Sequence, residues 1–211
     1  MKTFEIITES DARVLERGET VMLAKGGHIT PLAQDTLNER RVNVVREGRV
    51  SDDEASLAPR AEIRSVAIAS DHTGVTLRRN LVGFLRSRGL AVNDLGTDAT
   101  EPVDYPDVAA AVADVVARGE ADAGIVIDGA GIGSAIAANK IDGVRAVMAT
   151  TETIARYSRE HNGANVLTLG ATLVSVEEAR AIVTTWLTTT MREPRYIRRL
   201  AKIRDLERRR R

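Results

Sequence analysis

From residue 66 onward, apolar runs of strand length alternate with longer segments of helical spacing. The runs at 66–70, 91–95, 124–128, 144–149 and 166–169 are near-continuously apolar, as strands buried on both faces of a parallel sheet must be. Segments 75–88, 108–118, 132–139, 151–161 and 176–188 carry helical spacing between them, and a last helix is expected over 194–210. Strand alternating with helix at this interval predicts βαβ units. The expected fold is therefore α/β: a five-stranded parallel Rossmann-like sheet with helices on both faces, preceded by a small N-terminal extension.

Upstream the pattern is weaker. Residues 10–16 form a short amphipathic segment and 21–24 an apolar stretch; Lys25-Gly26-Gly27-His28 then reads as a turn. Pro31 is placed to open a helix reaching residue 40, and 42–45 reads as one more short strand. Residues 47–64 (EGRVSDDEASLAPRAEIR) are polar, charged and broken by Pro59, which is linker composition. The expected division is an extension and linker at 1–64 and a main domain at 65–211.

Composition narrows the function classes. No apolar run approaches the ~20 residues of a membrane span, and the opening MKTFEIITESDARVLERGE mixes acids and bases where a secretory signal is apolar. A soluble, cytoplasmic protein without a membrane partner is expected. The absence of cysteine excludes disulfides, thiolate metal sites and a cysteine nucleophile. Lysines and arginines balance aspartates and glutamates at 30 each, but Arg195, Arg198, Arg199, Lys202, Arg204 and Arg208 to Arg211 crowd the end. The tip reads as a solvated tail, because no recognition motif or aromatic platform points to nucleic acid. His28 reads as a loop histidine, and no metal is expected.

In an open parallel sheet, ligands bind at the carboxyl ends of the strands. Asp71-His72 follows the first expected strand of the main domain, Asp128-Gly129-Ala130-Gly131-Ile132-Gly133 the third, and Gly170 the fifth. The glycine loop lets backbone amides approach an anion at a helix start. Its GxGxG spacing and its place after the third strand argue against dinucleotide binding, so no cofactor is expected. Each remaining motif has a bland reading: Asp71 as a helix cap, His161-Asn162 as a helix end, and Asp104-Tyr105-Pro106-Asp107 as a turn and helix start with Asp107 as cap.

Together, SDHTG, DYPD, GIVIDGAGIGSAIAANKIDGVRA, REHNGANVLTLGA and PRYIRRLAKI resemble, in order and spacing, the type B ribose-5-phosphate isomerases and their galactose-6-phosphate isomerase relatives. The resemblance implies an aldose–ketose isomerase working through a cis-enediolate, which needs ring opening, a base over carbon and an oxyanion site. Ribose 5-phosphate is the expected substrate, with a tetrose, hexose or other pentose phosphate as alternatives. By the same resemblance, His161 assists ring opening with Asp71. His72, Tyr105 and Asn162 line the sugar, the Gly129, Gly131 and Gly133 loop holds the enediolate, and Arg195 and Arg199 bind phosphate. A homodimer, or a dimer of dimers, is implied, with the site shared across its interface.

The chain departs from that pattern. Asp128 stands where many members carry a cysteine base, Ala130 where they carry threonine, and Ser134 where another branch has a glutamate base. Asp128, the one carboxylate in the loop, is read as the base, the alternative being a hydrogen bond to a substrate hydroxyl. Thr172 replaces a common arginine and Tyr196 a histidine. A catalytically silent sugar-phosphate-binding module and a nucleotide-binding domain are the rival functions. In the extension, KGGHITPLAQDTLNERRVNVV resembles short N-terminal segments of enzymes associated with bacterial microcompartments. That likeness implies oligomerisation or encapsulation through residues 1–64, with a merely stabilising appendage as the alternative.

Overall fold

The computed structural model describes residues 2–46, 52–98 and 101–209 and divides into two compact units, Met1–Ser51 and Asp52–Arg211. The first unit is folded around its own core. Its elements are β1 (Thr3–Ile7), α1 (Glu9–Val14), β2 (Thr20–Ile29), α2 (Pro31–Glu39) and β3 (Asn43–Arg46), and its strands form a parallel sheet in the order β1-β2-β3. Thr8 caps α1 in a reciprocal box with Asp11, and Thr30 caps α2 just before Pro31. Ile7, Ala12, Leu15, Val21, Leu23, Ala33 and Leu37 are buried together beneath the two helices.

One expectation for this unit is corrected and one element is added. Strand β1 was not expected, and Lys25-Gly26-Gly27-His28 is no turn between elements but lies inside β2. The pairing jumps from Phe4↔Leu23 to Ile6↔His28, so residues 24–27 bulge from the ladder, with Gly26 at φ +82°.

The second unit starts earlier than the polar composition of 47–64 indicates: residues 52–64 belong with it. They include the one-turn helix α3 (Asp52–Ala55). Then follow β4 (Ser65–Ser70), α4 (Val75–Ser87), β5 (Ala91–Asp94), α5 (Tyr105–Ala117), β6 (Ala123–Asp128), α6 (Ile132–Ala138), β7 (Ala146–Met148), α7 (Glu152–Asn162), β8 (Val166–Gly170), α8 (Val176–Thr188) and α9 (Pro194–Arg208). The expected end of the last helix, at residue 210, and the final arginine fall outside the described residues. Helix α5 begins earlier than expected because Pro106 fits its first turn, which makes Tyr105 its first residue.

The five strands are all parallel, in the order β5-β4-β6-β8-β7. Alternate residues feed opposite faces. Val66, Ile68, Ile125, Ile127, Leu167 and Leu169 pack in one cluster with α4 and α8. Ala67, Ala69 and Val126 join the other, with α5. Small residues on that second face let the helix approach closely: a Cβ on Gly124 would lie 2.7 Å from a Val112 methyl. Central strands β4 and β6 thus end side by side, with Ser70 opposite Ile127, and the chain leaves them toward opposite faces. That is a topological switch point.

Candidate active site

At the switch point both strand ends carry a buried aspartate, Asp71 and Asp128. Asp71 Oδ1 accepts the Thr73 amide at 2.8 Å, the Thr73 hydroxyl at 2.6 Å and the Gly74 amide at 3.2 Å. Among the described residues no donor reaches its Oδ2. Asp128 is held more completely. Its Oδ1 accepts the Ala130 amide at 2.8 Å and the Gly131 amide, and its Oδ2 accepts the Ser134 amide at 3.0 Å and the Ser134 hydroxyl. Four donors thus converge on one carboxylate, and accepting a proton requires releasing one of them.

The loop is fixed from its other side as well. Thr168 donates its hydroxyl to the Gly131 carbonyl and Thr172 donates its own to the Gly129 carbonyl, both at 2.6 Å. Gly131 has φ +77° and its missing Cβ would lie 2.8 Å from the Leu169 carbonyl carbon, so only glycine fits. Tyr105 lies over Gly133, where a Cβ would come within 2.5 Å of the ring. His72 is exposed, and its Nδ1 accepts the Val103 amide at 3.3 Å. The crevice therefore assembles Asp71, His72, Tyr105, Asp128, Gly129, Gly131 and Gly133, and adds Thr73, Ser134 and Thr168, which sequence reading missed as participants. A hydroxyl near a strand end carries no pattern of its own.

His161, Asn162, Arg195 and Arg199 form a second group elsewhere. The His161 ring stacks on Tyr157 with centroids 4.7 Å apart, its other ring neighbour is Tyr196 at 4.6 Å, and its Nε2 lies 3.9 Å from the Glu160 carboxylate. The guanidinium groups of Arg195 and Arg199 lie 4.9 Å and 5.5 Å from the Tyr196 ring centroid, within cation–π range. Arg195 also donates to the Tyr196 hydroxyl at 3.1 Å. Tyr196 is thus buried between the histidine and the two arginines. Asn162 lines a cavity of about 490 Å³ with Lys140, Arg145, Ile203 and Glu207.

Topology keeps the two groups apart. Helix α7 joins parallel strands β7 and β8, so it must run from the carboxyl end of the sheet back to its amino end. Its last residues are His161 and Asn162, and only residues 163–165 separate them from the start of β8, whereas Asp128 pairs with the last residue of β8, Gly170. The length of that strand, roughly 15 Å, lies between them. Helix α8 also returns to the amino end, where α9 starts with Pro194 and carries Arg195 in its first turn. Among the described residues no hydrogen bond, ion pair or ring contact joins the groups, and no cluster of acidic or histidine side chains is built to hold a metal.

An amide-lined crevice at a switch point marks an α/β protein that handles a small, oxygen-rich anion. Comparison with known proteins narrows that class. The family model described as Ribose/Galactose Isomerase matches residues 66–203, and the chain belongs to that family of sugar-phosphate isomerases. It is 42% identical over 148 residues to ribose-5-phosphate isomerase B of Escherichia coli strain K12, covering 70% of this chain and 99% of that one. It is 37% identical over 124 residues to D-erythrulose-4-phosphate isomerase of Pectobacterium atrosepticum, covering 58% and 82% respectively. The structure of Clostridium thermocellum ribose-5-phosphate isomerase B superposes with a TM-score of 0.68 at 46% identity, covering 69% of this chain and 98% of that one. No helix among the described residues is long and apolar enough to cross a membrane.

Proposed function

We propose that the protein interconverts an aldose and a ketose phosphate, ribose 5-phosphate and ribulose 5-phosphate before others, in a site completed by a second copy of the chain. The observation that carries this reading is the separation of the two groups. Proton transfer between neighbouring carbons needs its acid, base and phosphate anchor within reach of one small molecule. A single chain holds the crevice at one end of its sheet and the His161 corner at the other. A two-fold dimer that faces the crevice of one subunit with the corner of the next yields two complete sites.

In such a site His161, aided by Asp71, moves the ring-opening proton. His72, Tyr105 and Asn162 orient the sugar, and Arg195 and Arg199 take the phosphate. When a substrate oxygen displaces the Asp128 carboxylate from the amides of the 129–133 loop, those amides hold the enediolate and the released carboxylate carries the proton between carbons. The four donors on Asp128 favour a second reading, in which it anchors the loop and transfers no proton. For the first unit we propose oligomerisation or encapsulation within a bacterial microcompartment, supported by the resemblance of its run from Lys25 to Val45.

A coupled assay over tetrose, pentose and hexose phosphates tests the function, and fastest turnover is expected with ribose 5-phosphate. A decisive preference for a tetrose phosphate, the size of substrate named for the Pectobacterium relative, would move the assignment within the family. No turnover on any sugar phosphate would end it.

A further inference from the structure

The corner that carries His161 and Asn162 is braced by two arginines. Arg159 is fully buried. It donates to the Ala164 carbonyl at 2.9 Å and to the Arg60 carbonyl at 3.0 Å, and it lies 5.0 Å from the Trp186 ring centroid. Burial, with the nearby Arg145 charge added, lowers its pKa to about 10. Arg145 donates to the Gly163 carbonyl at 2.7 Å and the Leu57 carbonyl at 3.0 Å. Each arginine therefore joins one carbonyl just after Asn162 to one carbonyl in the segment before β4. Pro59 closes the contact, because a Cβ on Gly163 would lie 3.3 Å from its ring.

The same segment is fastened at both ends. Asp53 pairs with Arg204 of α9 at 2.9 Å, and Arg60 pairs with Asp122 at 2.8 Å. None of these attachments needs a particular side chain at residue 57, since a backbone carbonyl is the acceptor. All of the attached residues 53–60 precede the family match, which begins at residue 66. Without them, the buried Arg159 and the half-buried Arg145 lose acceptors that burial makes costly to lose.

We propose that residues 53–60 are a positioning strap for the active site: their carbonyls, through Arg145 and Arg159, set the place of the His161–Asn162 corner. The strap makes the chain leading in from the first unit a working part of the isomerase. The inference rests on the proposed function only in giving the corner to the substrate.

The test uses the full chain in three forms: Pro59→Gly, Arg145→Ala, and a control with a flexible Gly-Ser insertion between Arg49 and Val50, upstream of the strap. Amide hydrogen exchange at residues 162–165 and kcat on the best sugar phosphate are measured. Both substitutions are expected to speed exchange there at least about tenfold and to lower kcat about tenfold. Added guanidinium ion restores part of kcat in Arg145→Ala and none in Pro59→Gly, and the insertion changes neither measurement. Parental exchange at 162–165 in Pro59→Gly, with exchange raised only at 57–60, would overturn the proposal and leave a tether. Should Arg145→Ala fail to fold, Pro59→Gly decides. If the parent turns over no sugar phosphate, the functional reading fails while the exchange measurement still judges the strap.

Discussion

The crevice and the corner are built by different means. The crevice is backbone: amides and hydroxyls close on Asp71 and Asp128 within six residues of each aspartate. The corner is side chain: a histidine between two tyrosines, flanked by arginines, and two further arginines that reach 88 and 99 residues back along the chain. In the proposed site, made of both, the oxyanion cradle is rigid and the acid and phosphate grip is adjustable. The crevice should therefore respond to substitution in turnover, and the corner in substrate affinity as well.

The sharpest way to break this comparison is to injure each half separately. Asp128→Asn and His161→Ala should each lower kcat/KM by about 10²-fold or more. When the two variants are coexpressed, half of the proposed dimers would pair one chain of each kind and hold one intact site, so about a quarter of parental activity should return. No recovery would place both halves in one chain's site. If Asp128→Asn exchanges the substrate C2 proton with deuterated solvent at the parental rate, Asp128 is the loop anchor and the base lies elsewhere.

A smaller effect is expected in the phosphate grip. Replacing Arg195 or Arg199 by Ala should raise KM about tenfold, equal to about 1.4 kcal/mol of binding, with the larger share of kcat kept. An unchanged KM in both variants removes the assignment. Smaller still, Tyr196→Phe keeps the ring between His161 and the arginines and loses only the hydroxyl that Arg195 meets. It should raise KM about threefold. Tyr196→Ala, which removes the ring, should reduce kcat as well; if it moves only KM, the ring does not place His161.

Legibility in the sequence follows the same division. The crevice could be read because glycine at a strand end and aspartate beside it are local signals, and the sheet could be read because its strands are nearly uninterrupted apolar runs. Arg145 and Arg159 could not, because a guanidinium that binds distant backbone carbonyls leaves no spacing to find. Pro59 among charged residues looks like a linker, although its carbonyl-bearing neighbours are bound to the core. In the first unit, Gly26-Gly27 carries the composition of a turn whether it ends a strand or bulges from one. Which of these it does depends on β1, a five-residue edge strand with little pattern of its own.

The smallest effect compares the two ends of one strand. Asp128 closes β6 and Asp122 precedes it. At its end Asp122 accepts the amides of Arg64 and Ser65 at 2.8 Å and 2.9 Å and pairs with Arg60 of the strap. Burial pushes its pKa upward, but those amides and the Arg60 charge outweigh it and hold the carboxyl below its ordinary value. A depressed folded-state value means that the ionised form stabilises the fold: the contribution is full above the unfolded pKa of ~3.9 and fades as pH falls through the folded one. Asp122→Asn keeps the shape and an oxygen for the amides but removes the charge, at a cost on the order of 1 kcal/mol near neutral pH. Urea midpoints of parent and variant should therefore differ by a constant amount down to about pH 4 and converge below it. A gap that widens with acid would show that Asp122 is not held as an anion, and would leave the strap fastened at that end by hydrogen bonds alone.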